Sequence, residues 1–289
     1  MSNQRALRSQ IQRLGDIGAI MTAMKNLAFM ETCKLERHLQ AQSRMVEQIK
    51  QSAQICISHF PEALPNGNHQ DQPGQQLWLL IGSERGFCGD FNQRLAQQTE
   101  AQLQQIEPQG VVTLGYRLNQ RAMSGVETVA QLAGANAIEE TENILILLTQ
   151  TLSELQQQRG PFQLRVLFNH PDSSQISSQA LLPPFQDLNQ TAPQGIAPLI
   201  NMAPETLLLG LGEHYLFVRL QHILYLSLMA ENQLRIAHLQ GAIKKLEKRS
   251  VDLQRKMNRL RQESIVEEIE IILINQSTLN SPTTADKPH

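Results

Sequence analysis

Residues Leu7–Phe60, LRSQIQRLGDIGAIMTAMKNLAFMETCKLERHLQAQSRMVEQIKQSAQICISHF, contain no proline and repeat every seven residues. One row of the repeat is Leu7, Leu14, Met21, Ala28, Leu35, Gln42, Ile49 and Cys56. The other is Ile11, Gly18, Lys25, Thr32, Leu39, Val46, Ala53 and Phe60. The first row is apolar except at Gln42; the second is polar or small at Gly18, Lys25 and Thr32. Two such rows predict a coiled-coil seam with a weak centre. A continuous helix over this stretch is ~80 Å long at 1.5 Å per residue. The alternative is an ordinary amphipathic helix lying on a core, but such helices seldom run beyond about 25 residues without caps.

The other end of the chain reads the same way. Residues 205–281 also lack proline, as do residues 1–60, whereas prolines dot the stretch between. Leu216, Leu220, Ile223, Ser227, Ala230, Leu234, Ala237 and Gly241 keep 4,3 spacing. A shifted row then takes over: Leu239, Ile243, Leu246, Ser250, Leu253, Met257, Leu260 and Ser264. The shift near Gly241 predicts a register break that changes the supercoil locally. The helix is expected over Glu213 to about Leu273, and two such segments pair most simply antiparallel. The expected fold is mixed α+β and α/β: a long antiparallel two-helix coiled coil with a small inserted α/β, Rossmann-like domain. The expected division is a first helix over 1–60, an insert and connector over 61–204, a second helix over 205–275 and a disordered tail over 276–289.

Composition limits the function. Only 4% of the 289 residues are aromatic, and Gln makes up about one residue in eight; both suit long helices better than a β-sandwich. The net charge of −2 conceals an acidic middle: residues 51–204 carry six Lys/Arg against thirteen Asp/Glu. Nucleic-acid binding needs a dominant basic surface, and none is present. Three cysteines, Cys33, Cys56 and Cys88, sit at no metal spacing, and the start shows no signal peptide, so a reduced, cytosolic-side protein is expected. No stretch of about 18 apolar residues spans a membrane; any membrane role runs through partners.

The insert alternates strand and helix. Leu77–Gly82 is a continuous apolar run and hence a buried strand. A helix follows over Asp90–Ile106, a strand over Val111–Gly115, a short helix over Arg117–Ser124 and a possible strand over Val126–Val129. Ile138, Leu145, Leu148, Leu152 and Leu155 keep helical spacing, so Ile138–Gln158 is expected to be a helix stopped by Arg159-Gly160-Pro161. Phe162–Asn169 is another strand, and Leu181–Ala203 a proline-rich connector. This order predicts a mostly parallel sheet.

Little of the chemistry-bearing sequence survives inspection. The loop Gly82-Ser83-Glu84-Arg85-Gly86-Phe87-Cys88-Gly89-Asp90 leaves a strand and opens a helix, the setting of a phosphate cradle. It lacks the Lys of a phosphate loop, and Glu84 and Asp90 repel an anion, so a structural or docking turn is the better reading. Cys88 as a thiolate nucleophile lacks an oriented base. The eight His show no zinc-binding pair, so neither a catalytic residue, a metal nor a cofactor is expected. Between Arg235 and Glu263, nine Lys/Arg stand against three Asp/Glu, either a solvated face or a basic band for an acidic partner. Beyond it, Ile265, Ile269, Ile271 and Ile272 interleave with Glu267, Glu268 and Glu270. A helix end apolar nearly all round implies an enclosing partner sleeve.

These features together resemble the gamma subunit of F-type rotary ATP synthases. Leu7-Arg8-Ser9-Gln10-Ile11 and Ile20-Met21-Thr22-Ala23-Met24 look like the family's I-R-S-K-I and I-T-K-A-M. Ser83–Asn92 looks like its S-D-R-G-L-C-G-G-L-N. Ala230–Ile236 and Asn258–Ile269 look like its S-E-x-x-A-R-M and N-K-A-R-Q-A-S-I-T-Q-E-L. The resemblance implies a non-catalytic rotor. Its partners would be an alternating alpha/beta nucleotide-binding hexamer, an epsilon subunit and a membrane c-ring. Its place would be the cytoplasmic face of a bacterial-type inner membrane. It further implies that Met24, Lys25, Arg235, Arg261, Gln262, Val266 and Glu268 meet the catalytic head, and that Ser83, Glu84, Arg85, Gly86, Cys88 and Gly89 form a foot-domain loop. The chain departs from the family pattern at Glu84 for Asp, Asp90 for Gly, Lys25 for an acidic residue and Val266 for Thr. A coiled-coil scaffold and an α/β enzyme using Cys88 are the competing classes.

Overall fold

The structure is a computed structural model and describes residues 2–63, 75–106, 108–120, 126–173, 175–185, 188 and 197–279. Two compact units divide the chain: Met1–Met24 with Leu239–His289, and Lys25–His238. Two helices run through both, α1 (Ser2–His59) and α5 (Pro204–Leu279).

In the larger unit five strands form one sheet in the order β3-β2-β1-β4-β5. They are β1 (Gln76–Ile81), β2 (Gly110–Leu114), β3 (Thr128–Leu132), β4 (Gln163–Asn169) and β5 (Ile176–Leu182). The first four are parallel and β5 is antiparallel to β4. Helices α2 (Phe91–Leu103), α3 (Tyr116–Asn119) and α4 (Thr141–Arg159) connect them. β1 is buried along nearly its whole length, which explains its unbroken apolar sequence. Its residues alternate between two cores. Leu77, Leu79 and Ile81 pack with Leu145, Leu148 and Leu152 of α4 and with Leu220, Ile223 and Leu224 of α5. Trp78 and Leu80 face Leu95 of α2 and Leu118 of α3.

Most expected elements lie where the pattern puts them. Gly160, at φ 84°, ends α4. β5 is a correction: Ile176–Leu182 is a strand that no expected element covered, and its last two residues, Leu181 and Leu182, were expected to begin the connector. Its sequence, ISSQALL, is mostly polar, and as an edge strand it needs little apolar surface. α5 begins at Pro204, nine residues before the expected Glu213, because proline's fixed φ suits the first helical position. It is helical to Leu279, so residues 276–279 are not tail. The rest of the expected tail, and residues 121–124 of the expected short helix, lie outside the described residues.

The seven-residue rows of α1 are turned inward: no position of either row is exposed. In the larger unit α1 runs antiparallel to α5. Leu35 packs with Tyr225, Leu228 and Met229, whereas Val46 and Ile57 belong with Leu208, Tyr215 and Val218. Gln42 Nε2 donates to Gln221 Oε1 at 2.9 Å, so the polar break in the first row meets a polar partner. On α5, the row from Leu216 faces inward as far as Leu234, after which Ala237 and Gly241 are exposed. In the smaller unit Leu239, Ile243, Leu246, Ser250, Leu253, Met257, Leu260 and Ser264 all avoid full exposure, and every described side chain from Ile265 to Leu273 is exposed.

Candidate functional site

The chain leaves β1 for β2 and β3 on one side and returns to β4 on the other, so the carboxyl end of β1 is the switch point of the sheet. Open α/β sheets hold ligands in that crevice. Here the loop Gly82–Asp90 lies across it, and several of the polar groups around it are bonded to the chain's own side chains. The Ser83 N–H donates to Asn92 Oδ1 at 2.9 Å, and Asn92 Nδ2 returns a bond to Ser83 Oγ at 2.8 Å. Asn169, at the end of β4, donates through Nδ2 to the Phe91 carbonyl at 3.3 Å. Glu84 accepts the N–H groups of Tyr116 at 2.8 Å and Gly134 at 2.6 Å. A phosphate loop keeps its N–H groups free; here the Ser83 N–H is committed to Asn92, and the Glu84 carboxylate occupies the N–H groups of Tyr116 and Gly134.

The loop is also tied to α5. Arg235 Nε donates to the Gly86 carbonyl at 3.2 Å, Nη1 to Asn232 Oδ1 at 2.8 Å, and Nη2 to Glu231. The nearby Arg85 backbone N–H also favours the ionised Glu231 carboxylate. Arg235 and Glu231 are 6% and 4% exposed. Burial pushes the Glu231 carboxyl up to about 7, against the pull of Arg235. This corrects the expectation that Arg235 faces a partner: all three of its nitrogens serve its own chain. Nothing in the local sequence announces it, since its loop acceptor lies 149 residues away. The signal available in the sequence is a carboxylate, Glu231, directly after the largely apolar run Ile223–Ala230 and one helical turn before Arg235.

Cys88 sits beneath the loop at 5% exposure, packed with Phe91 and Ala230. Its Sγ donates to Ser83 Oγ at 3.3 Å, and burial pushes the thiol pKa up. A protonated, enclosed thiol is a poor nucleophile. A second polar cluster joins α1, α5 and β5. Arg219 Nη1 bonds His222 Nδ1 at 3.1 Å and Nη2 bonds Gln179 Oε1 at 2.7 Å. An arginine has no acceptor, so His222 carries its proton on Nε2 and gives it to Ser43 Oγ, 3.2 Å away. Burial, then Arg219 and His170, hold His222 down to about 4. With the ring nitrogen facing Ser43 already protonated, the pair does not act as nucleophile and base.

In the smaller unit, Met24 is half-buried while Arg261, Gln262, Val266 and Glu268 are exposed on α5. A groove of about 560 Å³ there is lined by Ile17, Met21, Leu246, Lys245 and Arg249 among others. Lys25, half-buried, belongs to the larger unit. Among the described residues no group of three His, Cys, Asp or Glu is placed to hold a metal, and no helix is long and apolar enough to cross a membrane.

A family model described as ATP synthase matches residues 3–274, both end helices and everything between. The chain belongs to the ATP synthase gamma-subunit family. It is 24% identical over 299 residues to an ATP synthase gamma chain of Hyphomonas neptunium, covering 92% of this chain and 97% of that one. A match to the gamma chain of Mesoplasma florum, at 26% identity, spans only 33% of that protein. Similar solved folds come from ATP synthases. One is in the Euglena gracilis mitochondrial OSCP/F1/c-ring assembly, at TM-score 0.60, 14% identity and coverage of 100% of this chain and 99% of that one. Another is in the Tetrahymena thermophila mitochondrial central stalk and c-ring, at TM-score 0.55, 17% identity and coverage of 77% and 99%. Two of the segments that carry the resemblance, Ser83–Asn92 and Ala230–Ile236, hold each other at the switch point.

Proposed function

We propose that this gamma-family chain is the central-stalk rotor of an F-type ATP synthase, with no catalytic site of its own. The observation that carries it is the far end of α5: in a member of this family, Ile265, Val266, Ile269, Ile271, Ile272 and Leu273 are 47–59% exposed on one continuous helix. Such an end gains stability only inside a sleeve, and the ring of an alternating alpha/beta hexamer supplies one. On this reading α1 and α5 wind as an antiparallel coiled coil. Met24, Lys25, Arg261, Gln262, Val266 and Glu268 lie against the hexamer. The insert, residues 61–204, is the foot that meets an epsilon subunit and a c-ring at the cytoplasmic face of the membrane.

The mechanism follows from asymmetry. The inward row of α5 steps from Leu234 to Leu239, so the helix cannot present the same face along its length. A shaft of that kind offers each of three catalytic subunits a different surface. A conformation favoured by one surface is disfavoured by the next, so rotation moves the binding free energy for nucleotide around the ring. The scaffold reading fits less well, because α1's seam is already covered by the chain's own α5 where a parallel dimer needs it free.

The test is to co-express the chain with the alpha, beta, epsilon and membrane subunits of its complex and to measure ATP-driven ion pumping. Pumping that needs the chain supports the rotor. Full pumping without it, or its failure to copurify with the hexamer, overturns the reading.

A further inference from the structure

We propose that Glu231 and Arg235 are positioning residues, a clasp that fixes the Gly82–Asp90 loop on α5 so that sheet and helix turn as one body; the turning part rests on the rotor reading. The sheet meets α5 mainly through Leu220, Ile223, Leu224 and Leu226. Apolar contact resists separation, but it is non-directional and sets no register by itself. The guanidinium does set one. Its three nitrogens reach three different acceptors, Gly86 O, Asn232 Oδ1 and Glu231, and its planar fork makes each position depend on the others. Glu231, one turn before Arg235 on α5, holds the remaining nitrogen from the helix side.

The loop shows that it is held. Phe87 has φ 64°, a region that residues other than glycine avoid and keep only where neighbours over-determine it. Phe87 is 48% exposed, so its burial is not what holds it. The residue before it is gripped by Arg235 at Gly86 O, and the residue after it by Cys88 Sγ, which lies 3.7 Å from Arg85 O and 3.3 Å from Ser83 Oγ. The strained residue lies between two anchors, one of which is the clasp.

The test uses the full chain and the assembled complex. Arg235→Met keeps the stem and removes the donors, Arg235→Lys keeps the charge and removes the fork, and Glu231→Gln is nearly isosteric should Arg235→Met fail to fold. Amide hydrogen exchange is read at residues 83–90 and, as an internal reference, at Leu79 and Leu167 in β1 and β4. The expected result is exchange at least tenfold faster in the loop with the reference amides unchanged, and no rescue by lysine. In the complex, ATP hydrolysis should stay within twofold while ions pumped per ATP fall by half or more. A merely structural defect lowers both together through lost assembly. Unchanged loop exchange, or equal acceleration of loop and reference amides, overturns the clasp. A loosened loop with an unchanged ratio of pumping to hydrolysis overturns its coupling role. Loss of pumping dependence on the wild-type chain overturns the rotor reading, with the exchange result still standing for the clasp.

Discussion

Truncating Leu35 tests whether the seven-residue rows of α1 carry its packing. Leu35 is fully buried and sits with Ile138, Tyr225, Leu228 and Met229, so it joins α1 to α5 and to the turn before α4. Leu35→Ala removes three buried carbons, worth about 2.4 kcal/mol in transfer at ~0.8 kcal/mol each. The space left among four large neighbours adds to that, giving about 3 kcal/mol in all. For a unit of this size each kcal/mol moves the midpoint by roughly 2–4 °C, so Tm should fall by about 6–12 °C. Leu27 provides the control. It lies outside both rows and is 62% exposed, and Leu27→Ala should stay within about 0.5 kcal/mol. The assay is urea and thermal unfolding of the purified chain, followed by circular dichroism, with the urea slope checked to be the same for all three proteins. Equal destabilisation by the two substitutions, or a larger effect at Leu27, would refute the assignment of the inward rows.

Two further predictions concern pH. His222 is held near 4 in the fold against an ordinary 6.5, so its contribution to stability is lost as pH falls from 6.5 towards 4; His222→Gln should flatten that limb of the stability profile. Glu231 is pushed the other way, from 4.5 to about 7, so its contribution is present below 4.5 and lost as pH rises through 7; Glu231→Gln should remove that slope in the same titration. Gly115 has φ 111°, and an added Cβ would meet the Gly82 carbonyl carbon and oxygen at 2.8 Å; Gly115→Ala should cost at least about 2 kcal/mol by urea unfolding. Arg261 is exposed on α5; Arg261→Glu should leave the circular dichroism of the chain unchanged while lowering ATP-driven pumping, and normal pumping at normal assembly would remove it from the head-contact set.

The two end helices were legible because their evidence is periodic and long: missing prolines and inward rows repeat over dozens of residues, and one exception such as Gln42 does not hide them. The buried strands β1, β2 and β4 were legible from apolar runs. β5 was not, because Ser177, Ser178 and Gln179 face little core and the strand is made by pairing with β4. At the site, the loop was legible as a turn that fails the test for a phosphate cradle. Its attachment was not. An arginine on a helix reads as surface charge, and only the three-dimensional approach of Gly86 turns it inward. Asn92 is similar: its side chain becomes a substitute anion for the Ser83 N–H through a contact that spacing does not reveal.

The tying of the switch-point loop to α5 has a consequence for competition. The segment Glu231–Arg235 behaves as a tethered ligand of the α/β fold, presented to its site at an effective concentration of order mM or above by the chain that connects them. A free metabolite would have to outbid a group that never diffuses away. It would also have to recover the donors already committed to Asn92 and Glu84. The place where open α/β sheets hold ligands serves here as a joint between loop and helix.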